Sequence, residues 1–136
     1  MGLLCNKGHY GPEGERCYSF AEYCIKGSFY REAFIALSKS IEYSLKEIHI
    51  NRGLFSSCIA KNTNLCALAA RVSEFISKED YRVLDLLSCS RFYFEYPPCV
   101  ESPVDVRELD SASNDLLNRA QCLAYNYMQI ARDKNA

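Results

Sequence analysis

Apolar residues recur every three or four positions along most of this chain, the spacing that places them on one face of an α-helix. The clearest case is the segment from residue 29 to 52. Gly53 after it can take the left-handed conformation that ends many helices, and Ser28 before it can cap the first turn. The pattern predicts one long amphipathic helix with inward positions at Phe34, Leu37, Ile41, Leu45 and Ile48.

Two other sides of this long helix have distinct compositions. Small residues flank the apolar stripe and would let a neighbouring helix approach closely. They are Ala33, Ala36, Ser40 and Ser44. Charged residues line the other side, namely Lys39, Glu42, Lys46 and Glu47. Of these, Lys39, Glu42 and Lys46 are candidate residues for binding a ligand or a partner.

Shorter helical patterns lie on either side of the long helix. One begins at Glu15 and ends at Gly27, residues 54–62 form a connection, and Asn62 or Thr63 then caps another helix. The inward positions of the first are Cys17, Phe20, Ala21, Cys24 and Ile25, and those of the second are Leu65, Leu68, Ala69, Val72, Phe75 and Ile76.

Two further helices complete the pattern. One starts near Asp80 and is ended by Pro97 and Pro98, because proline cannot continue the hydrogen-bond ladder. The last runs from about Val106 to Ala131. Their inward positions are Val83, Leu84 and Leu87, then Leu109, Ala112, Leu116, Ala120, Leu123, Tyr127 and Ile130. No stretch alternates as a strand would, so the sequence predicts an all-α, up-and-down bundle of about five helices.

The chain length and the glycine distribution indicate one domain. Residues 1–14 hold four of the six glycines together with Pro12 and show no apolar period. We interpret them as a flexible N-terminal arm and residues 15–136 as a single helical domain.

The overall charge argues against several classes of partner. A formal net charge of −1 gives no basic field from which DNA or membrane binding would be inferred. The apolar runs are too short for a membrane span, and the N-terminus lacks the pattern of a secretory signal. We therefore expect a cytoplasmic protein with no membrane partner and no DNA partner.

Eight cysteines in 136 residues raise the question of metal or disulfide sites. No CxxC pair occurs, and the two histidines stand apart from the cysteines and from each other. Several cysteines fall at inward helix positions, where a free thiol behaves as a small hydrophobe. Core packing is the favoured interpretation, with a metal site and disulfides as alternatives.

The sequence contains no recognisable catalytic group. The only imidazoles are His9, in the arm, and His49, near the end of the long helix, where the macrodipole favours a positive charge over a catalytic base. A phosphate-binding glycine loop, an HExxH helix, an EF-hand loop and Glu-x-x-His pairs are all missing. We predict no catalytic residue, no metal site and no cofactor.

The most unusual local feature is an aromatic cluster at residues 91–98. Arg91, Tyr93 and Tyr96 could stack on bases or anchor a protein interface, because they combine a large contact area with a polar group. The alternative is that the aromatics close one end of the core.

The order of several short motifs resembles the HEPN family of small helical domains. The matching segments are 26–33 (KGSFYREA), 41–46 (IEYSLK), 61–68 (KNTNLCAL), Tyr96-Pro97 and the closing helix 106–130. The resemblance covers roughly residues 15–131, and it implies the HEPN bundle for this domain.

Three positions depart from the family pattern. Thr63 stands where many members have a His at the start of the third helix, and Glu95 replaces the Arg of a common Arg-Tyr-Pro motif. The ribonuclease branch has an Arg followed four to six residues later by a His, and neither His9 nor His49 has an Arg at that distance. The resemblance therefore implies the fold without the nuclease.

The favoured hypothesis is a non-catalytic HEPN-like binding module that forms a homodimer or partners a nucleotidyltransferase-type protein, with a nucleotide as a candidate ligand. The candidate binding residues are Lys39, Glu42, Lys46, Arg91, Tyr93 and Tyr96. One alternative is an RNA-cleaving toxin of the HEPN type that uses Arg91, Tyr93 or His49. Another is a helical interaction protein of an unrelated family.

Overall fold

Six α-helices make up the described part of the chain, which comprises residues 10–73, 76–95 and 114–133 of a computed structural model, with residues 89–95 and 114 as backbone only. The helices are α1 (Tyr10–Lys26), α2 (Tyr30–Asn51), α3 (Ser57–Lys61), α4 (Leu65–Val72), α5 (Lys78–Glu95) and α6 (Asn114–Arg132). No strand occurs in these ranges. The predicted all-α helical bundle is confirmed.

Helix α2 is the centre of the bundle and packs against α1, α4, α5 and α6. Its apolar stripe is fully buried, because these neighbours surround it on several sides. The five positions predicted to face inward, Phe34, Leu37, Ile41, Leu45 and Ile48, are each at most 1% exposed. The long helix and its core face are therefore as predicted.

Helices α1 and α2 approach each other closely along the small-residue flank of α2. A β-carbon on Gly14 would lie 2.9 Å from the Ser44 hydroxyl and 3.3 Å from the Ser40 carbonyl. The Ser40 hydroxyl donates a hydrogen bond of 2.8 Å to the Gly14 carbonyl. The small-residue flank of α2 therefore lets a neighbouring helix approach closely, as its composition predicts, and that helix is α1.

The end of α2 follows the predicted glycine motif. Gly53 has a φ of 71°, in the left-handed region. The N–H of Leu54 donates to the His49 carbonyl at 2.8 Å, and the N–H of Gly53 donates to the Ile50 carbonyl at 3.1 Å. This pair of bonds is the Schellman arrangement, which satisfies two carbonyls that the helix end would leave unpaired.

The turn between α1 and α2 differs from the prediction. Ser28 does not cap α2: Phe29 is the cap residue, and no side chain bonds to the first turn. Ser28 instead adopts a φ of 63°, and its N–H donates to the Ile25 carbonyl. The N–H of Phe29 donates to the Cys24 carbonyl at 2.8 Å. Ser28 therefore holds the left-handed position of a second Schellman motif, which closes α1.

Other helix boundaries also shift from the expected ones. Helix α1 begins at Tyr10, so residues 10–14, assigned to the arm, are helical, while residues 1–9 lie outside the described part. The short helix α3 occupies part of the expected connection. Asn64, rather than Asn62 or Thr63, caps α4, because its side chain accepts the Ala67 N–H.

The core is completed by residues of α4, α5 and α6, and most of them are predicted inward positions. Two predicted positions are wrong: the Phe20 side chain is 53% exposed and that of Ile130 is 38% exposed. The predicted positions Phe75, Leu109 and Ala112 lie outside the described residues. Within α4, α5 and α6, the buried positions shared by prediction and structure are Leu65, Leu68, Ala69, Val72, Val83, Leu84, Leu87, Ala120, Leu123 and Tyr127.

The described cysteines divide between core and surface. Cys24 and Cys66 are buried among apolar side chains, while Cys58 and Cys122 are exposed, and none of these four forms a disulfide with another described residue. The core-packing interpretation therefore holds for two of them. None of the described helices combines the length and the apolar character needed to cross a membrane.

Candidate functional site

The first two candidate residues, Glu42 and Lys46, form a buried ion pair. Their side chains are only 5% and 4% exposed, and the Lys46 Nζ lies 3.0 Å from the Glu42 Oε2. Lys46 also donates a hydrogen bond of 2.8 Å to the carbonyl of Ala60 in α3. The charged side of α2 is therefore buried at Glu42 and Lys46, and the hydrogen bond from Lys46 joins α2 to α3.

Tyr10 at the start of α1 forms the cover over this ion pair. The Lys46 Nζ lies 5.7 Å from the centre of the Tyr10 ring, within the range of a cation–π contact. The same ring packs against Tyr43 and Phe55, with centroid separations of 6.0 and 5.7 Å. Burial, and then the nearby Glu42 charge, raise the pKa of Tyr10. A ligand would have to displace this tyrosine to reach Lys46.

His49 lies inside the protein and not at a charge-accepting surface. Its side chain is 0% exposed, and its Nδ1 lies 2.7 Å from the Leu45 carbonyl. Burial lowers the pKa of His49, and the charges of Arg71 and Arg52 lower it further, although the bond to Leu45 opposes this. The expectation of a positively charged histidine is therefore wrong.

The protonation state of His49 follows from this hydrogen bond. Because a carbonyl can only accept, Nδ1 carries the proton of the neutral ring and Nε2 is left as an acceptor. Nε2 is buried and has no hydrogen-bond partner among the described residues. No nucleophile is therefore paired with this ring in the described part of the chain.

The aromatic cluster is only partly within the described structure. Arg91 and Tyr93 lie near the end of α5, but their side chains are outside the described part, as is all of Tyr96. Their predicted binding role stays a prediction.

Lys39, the remaining candidate, lines an open groove between α1 and α2. The groove has a volume of about 360 Å³. Along α2, the groove is charged at its two ends, at Glu32 and Lys39, and apolar between them. The lining residues are Arg16, Cys17 and Phe20 from α1 and Glu32, Ile35, Ala36 and Lys39 from α2.

An exposed aromatic pair borders this groove. Phe20 is 53% exposed and Tyr23 is 70% exposed. Their rings stack with centroids 6.5 Å apart and an angle of 21° between the planes. We call the groove-lining residues together with Tyr23 the α1–α2 face.

The close approach of α1 and α2 explains why Phe20 is outside. The buried positions of α1 are Gly14, Ala21 and Cys24, all of them small. A phenylalanine has no room between the two helices, so its ring lies at the edge of the contact. The sequence did carry a signal for this, because small residues recur at seven- and three-residue spacings through these positions, and Phe20 lies outside that series.

Two other cavities carry charges that are already bonded. A cavity of about 580 Å³ between α1, α2 and α6 is lined by Glu15 and Arg132, which form an ion pair, and by Glu47, which accepts the Gly11 N–H at 3.1 Å. A cavity of about 470 Å³ is lined by Arg52, which donates to the Val72 carbonyl.

The second of these cavities also includes the phenol of Tyr127. Burial raises the pKa of Tyr127 to about 12, with smaller contributions from Asp80 and Cys66. This phenol is therefore neutral at physiological pH and offers no general base.

The described ranges contain no candidate metal site, because no three His, Cys, Asp or Glu side chains converge there.

No protein-family model matches the chain, and no curated protein or solved structure matches it. The function must therefore be inferred from the residues and geometry of the chain itself.

Proposed function

We propose that this chain is a non-catalytic, HEPN-like binding module that acts through the α1–α2 face. The observation that carries the proposal is the stacked, solvent-exposed pair Phe20 and Tyr23 beside an apolar groove. Aromatic side chains left exposed beside an apolar surface mark protein interfaces, because their burial gains a large apolar area at low entropic cost.

The layout of the α1–α2 face favours a protein partner over a small molecule. Protein interfaces have an apolar centre and a polar rim. Here Phe20 and Ile35 provide the apolar centre, and Glu32 and Lys39 provide charges at the rim. The groove is open to solvent, whereas small-molecule sites usually enclose most of their ligand.

The resemblance to the HEPN family suggests which partners to test. A homodimer and a complex with a nucleotidyltransferase-type protein are the two protein partners it implies, and a nucleotide is the candidate ligand. For a nucleotide, Lys39, Arg91, Tyr93 and Tyr96 remain the proposed contacts. Glu42 and Lys46 would take part only after Tyr10 moves, since both are buried beneath it.

The alternative of an RNA-cleaving toxin receives no support from His49. That ring is fully buried, so it cannot meet a ribose hydroxyl without a rearrangement of the core. An enzyme of this kind would have to depend on Arg91 or Tyr93.

The experiment compares wild type with the double variant Phe20→Ser/Tyr23→Ser by sedimentation velocity over a range of concentrations. We expect the wild type to associate and the variant to remain monomeric. Tyr81→Ser is the matched control, because Tyr81 is a 48% exposed aromatic on α5, away from this face. ATP added to the wild type in a calorimetric titration tests the nucleotide. A wild type that is strictly monomeric and binds no nucleotide would refute the proposal.

A further inference from the structure

The first turn of α1, residues 10–13, is held to the bundle differently from the rest of that helix. In this turn the Gly11 N–H donates a hydrogen bond of 3.1 Å to the Glu47 carboxylate on α2. Further along, α1 packs through the apolar side chains of Ala21 and Cys24, which are 0% and 2% exposed. Because dry apolar packing is the firmer attachment, the first turn is the part of α1 that separates most readily from α2.

A cavity lies beside this first turn. Gly11 and Pro12 line the cavity of about 580 Å³ between α1, α2 and α6. At these two residues the turn therefore has few side chains packed against it, so its movement away from α2 would lose little dispersion energy. Segments with few buried apolar contacts open locally while the rest of a protein stays folded.

The sequence of the turn also makes it a weak piece of helix, and Gly14 marks where the weak piece ends. Gly11 lowers helix stability relative to alanine. Gly14 is buried against α2, and its carbonyl accepts the Ser40 hydroxyl at 2.8 Å. The residues before Gly14 can therefore move while Gly14 itself stays attached.

This turn covers one charged group, the ammonium of Lys46. The Tyr10 ring centre lies 5.7 Å from the Lys46 Nζ, which also bonds to the Glu42 carboxylate and to the Ala60 carbonyl. The last two partners belong to α2 and α3, so of these three contacts only Tyr10 would leave with the turn. Its departure would uncover the ammonium and keep both hydrogen bonds.

We infer that the first turn of α1 is a lid over Lys46, which opens at Gly14 while the remainder of the bundle stays folded. The closed lid keeps the buried ion pair away from solvent, and the open lid makes the Lys46 amine accessible. Tyr10 and Tyr23 lie about 20 Å apart along the helix axis, so the lid is separate from the aromatic pair of the α1–α2 face. The inference therefore goes beyond the proposed function and does not depend on it.

The test measures how fast the Lys46 amine is acylated by N-hydroxysuccinimidyl acetate, at urea concentrations below the unfolding transition. Mass spectrometry of peptides gives the rate, and the exposed Lys26 gives the rate of an uncovered amine. Iodoacetamide labelling of the buried Cys24 thiol reports separation of the packed half of α1. The urea dependence of an opening scales with the surface that it exposes. Labelling should therefore rise slightly with urea at Lys46 and steeply at Cys24.

Variants of Tyr10 test whether its ring is the cover. Tyr10→Ala should raise the acylation rate of Lys46 about tenfold or more, because the open state no longer competes with a ring contact. Tyr10→Phe keeps the ring and should react like wild type. Tyr18→Ala is the matched control, since Tyr18 is another half-buried tyrosine of α1, and its ring packs against Tyr125 on α6. It should leave the rate at Lys46 unchanged.

Gly11→Ala should act in the opposite direction. A β-carbon at this position would lie 3.5 Å from the Glu47 side chain, an ordinary contact, so alanine fits the closed lid. Because alanine stabilises a helix relative to glycine, we expect the acylation rate of Lys46 to fall about threefold. Circular dichroism checks that each variant is folded.

The possible results decide the inference. A shallow urea dependence at Lys46, together with opposite effects of Tyr10→Ala and Gly11→Ala, supports the lid. Equally steep dependences at Lys46 and Cys24 would overturn it, because α1 would then open only as a whole. Acylation of wild-type Lys46 at the rate of Lys26 would show that the amine is not covered. A shallow dependence that neither variant changes would place the opening at α3, on the other side of Lys46, and would also overturn the lid.

Discussion

Helix α2 carries two pairs of opposite charges that have opposite environments. Glu32 and Lys39 line the open groove of the α1–α2 face. Glu42 and Lys46, one and two turns further along, are buried beneath Tyr10 and bonded to each other and to α3. The first pair lies at a surface that a partner can reach, whereas the second holds the bundle together.

The comparison shows that spacing along a helix does not determine whether a charge pair binds or stabilises. Both pairs have a spacing that places their members on one side of α2. What differs is the surroundings: α3 and Tyr10 cover the second pair, whereas both members of the first line an open groove. The consequences of a substitution should therefore differ sharply between the two pairs.

The largest expected effect is on the buried pair. Lys46→Met leaves the Glu42 carboxylate buried without its cation, and we expect the free energy of unfolding to fall by about 3 kcal/mol. Lys39→Met, the matched change at the open groove, should alter it by less than about 0.5 kcal/mol. Urea denaturation followed by circular dichroism measures both values.

A second variant tests the physical reason for that effect. Glu42→Met/Lys46→Met removes both charges and keeps similar side-chain volumes, so most of the lost stability should return. If Lys46→Met and Lys39→Met destabilised the protein equally, the two charge pairs would have the same environment. The contrast between the buried pair and the pair at the groove would then be refuted.

The helices of this fold could be predicted from the sequence because their evidence is local. The apolar stripe of α2 from Phe34 to Ile48 and the glycine at 53 each depend only on residues within a few turns. Helix geometry converts such a spacing directly into a shared face. The small flank that admits α1 was predictable for the same reason.

The candidate site could not be predicted to the same degree, because its environment depends on segments distant in sequence. Lys46 is buried by Tyr10 and by Ala60, and neither is detectable from the pattern of α2 alone. His49 was assigned to a helix end, where a positive charge is favoured, but tertiary packing buries it. Phe20 matches the period of the apolar positions and still lies outside, and only the spacing of the small residues Gly14, Ala21 and Cys24 indicates this.

The next effect concerns pH, which should separate the buried side of α2 from its open groove. The pKa of folded His49 is lowered below its ordinary value of 6.5. Below pH 6.5 the unfolded chain therefore binds more protons than the folded chain, and the free energy of unfolding should decrease as the pH falls from 6.5 towards the folded pKa. Above pH 6.5 the His49 ring is neutral in both the folded and the unfolded chain, so it no longer lowers the free energy of unfolding.

His49→Phe isolates that contribution, because its ring fits a similar space and cannot take up a proton. Above pH 6.5, the difference in unfolding free energy between wild type and His49→Phe should be constant. Below pH 6.5, the wild type should lose stability relative to His49→Phe. Subtracting the two curves removes the titration of the carboxylates and of His9. A difference that does not change between pH 5 and 8 would show that His49 is accessible to protons in the folded state.

The smallest expected effect concerns the turn that joins the two helices of the α1–α2 face. Ser28 adopts a φ of 63°, a conformation that costs an ordinary L-residue about 1 kcal/mol and glycine almost none. Ser28→Gly should therefore raise the free energy of unfolding by about 0.5 kcal/mol, after the greater entropy of glycine in the unfolded chain is subtracted.

Gly27→Ala is the matched control at the neighbouring position. A β-carbon there would lie 2.7 Å from the Phe29 ring, so this variant should be less stable than wild type, and the two adjacent substitutions should act in opposite directions. Thermal and urea unfolding measure both. Because Ser28→Gly changes neither the groove lining nor the charge pairs, its dimer dissociation constant should equal that of wild type. A weaker dimer would mean that the turn itself contributes to the binding face, which would extend that face beyond α1 and α2.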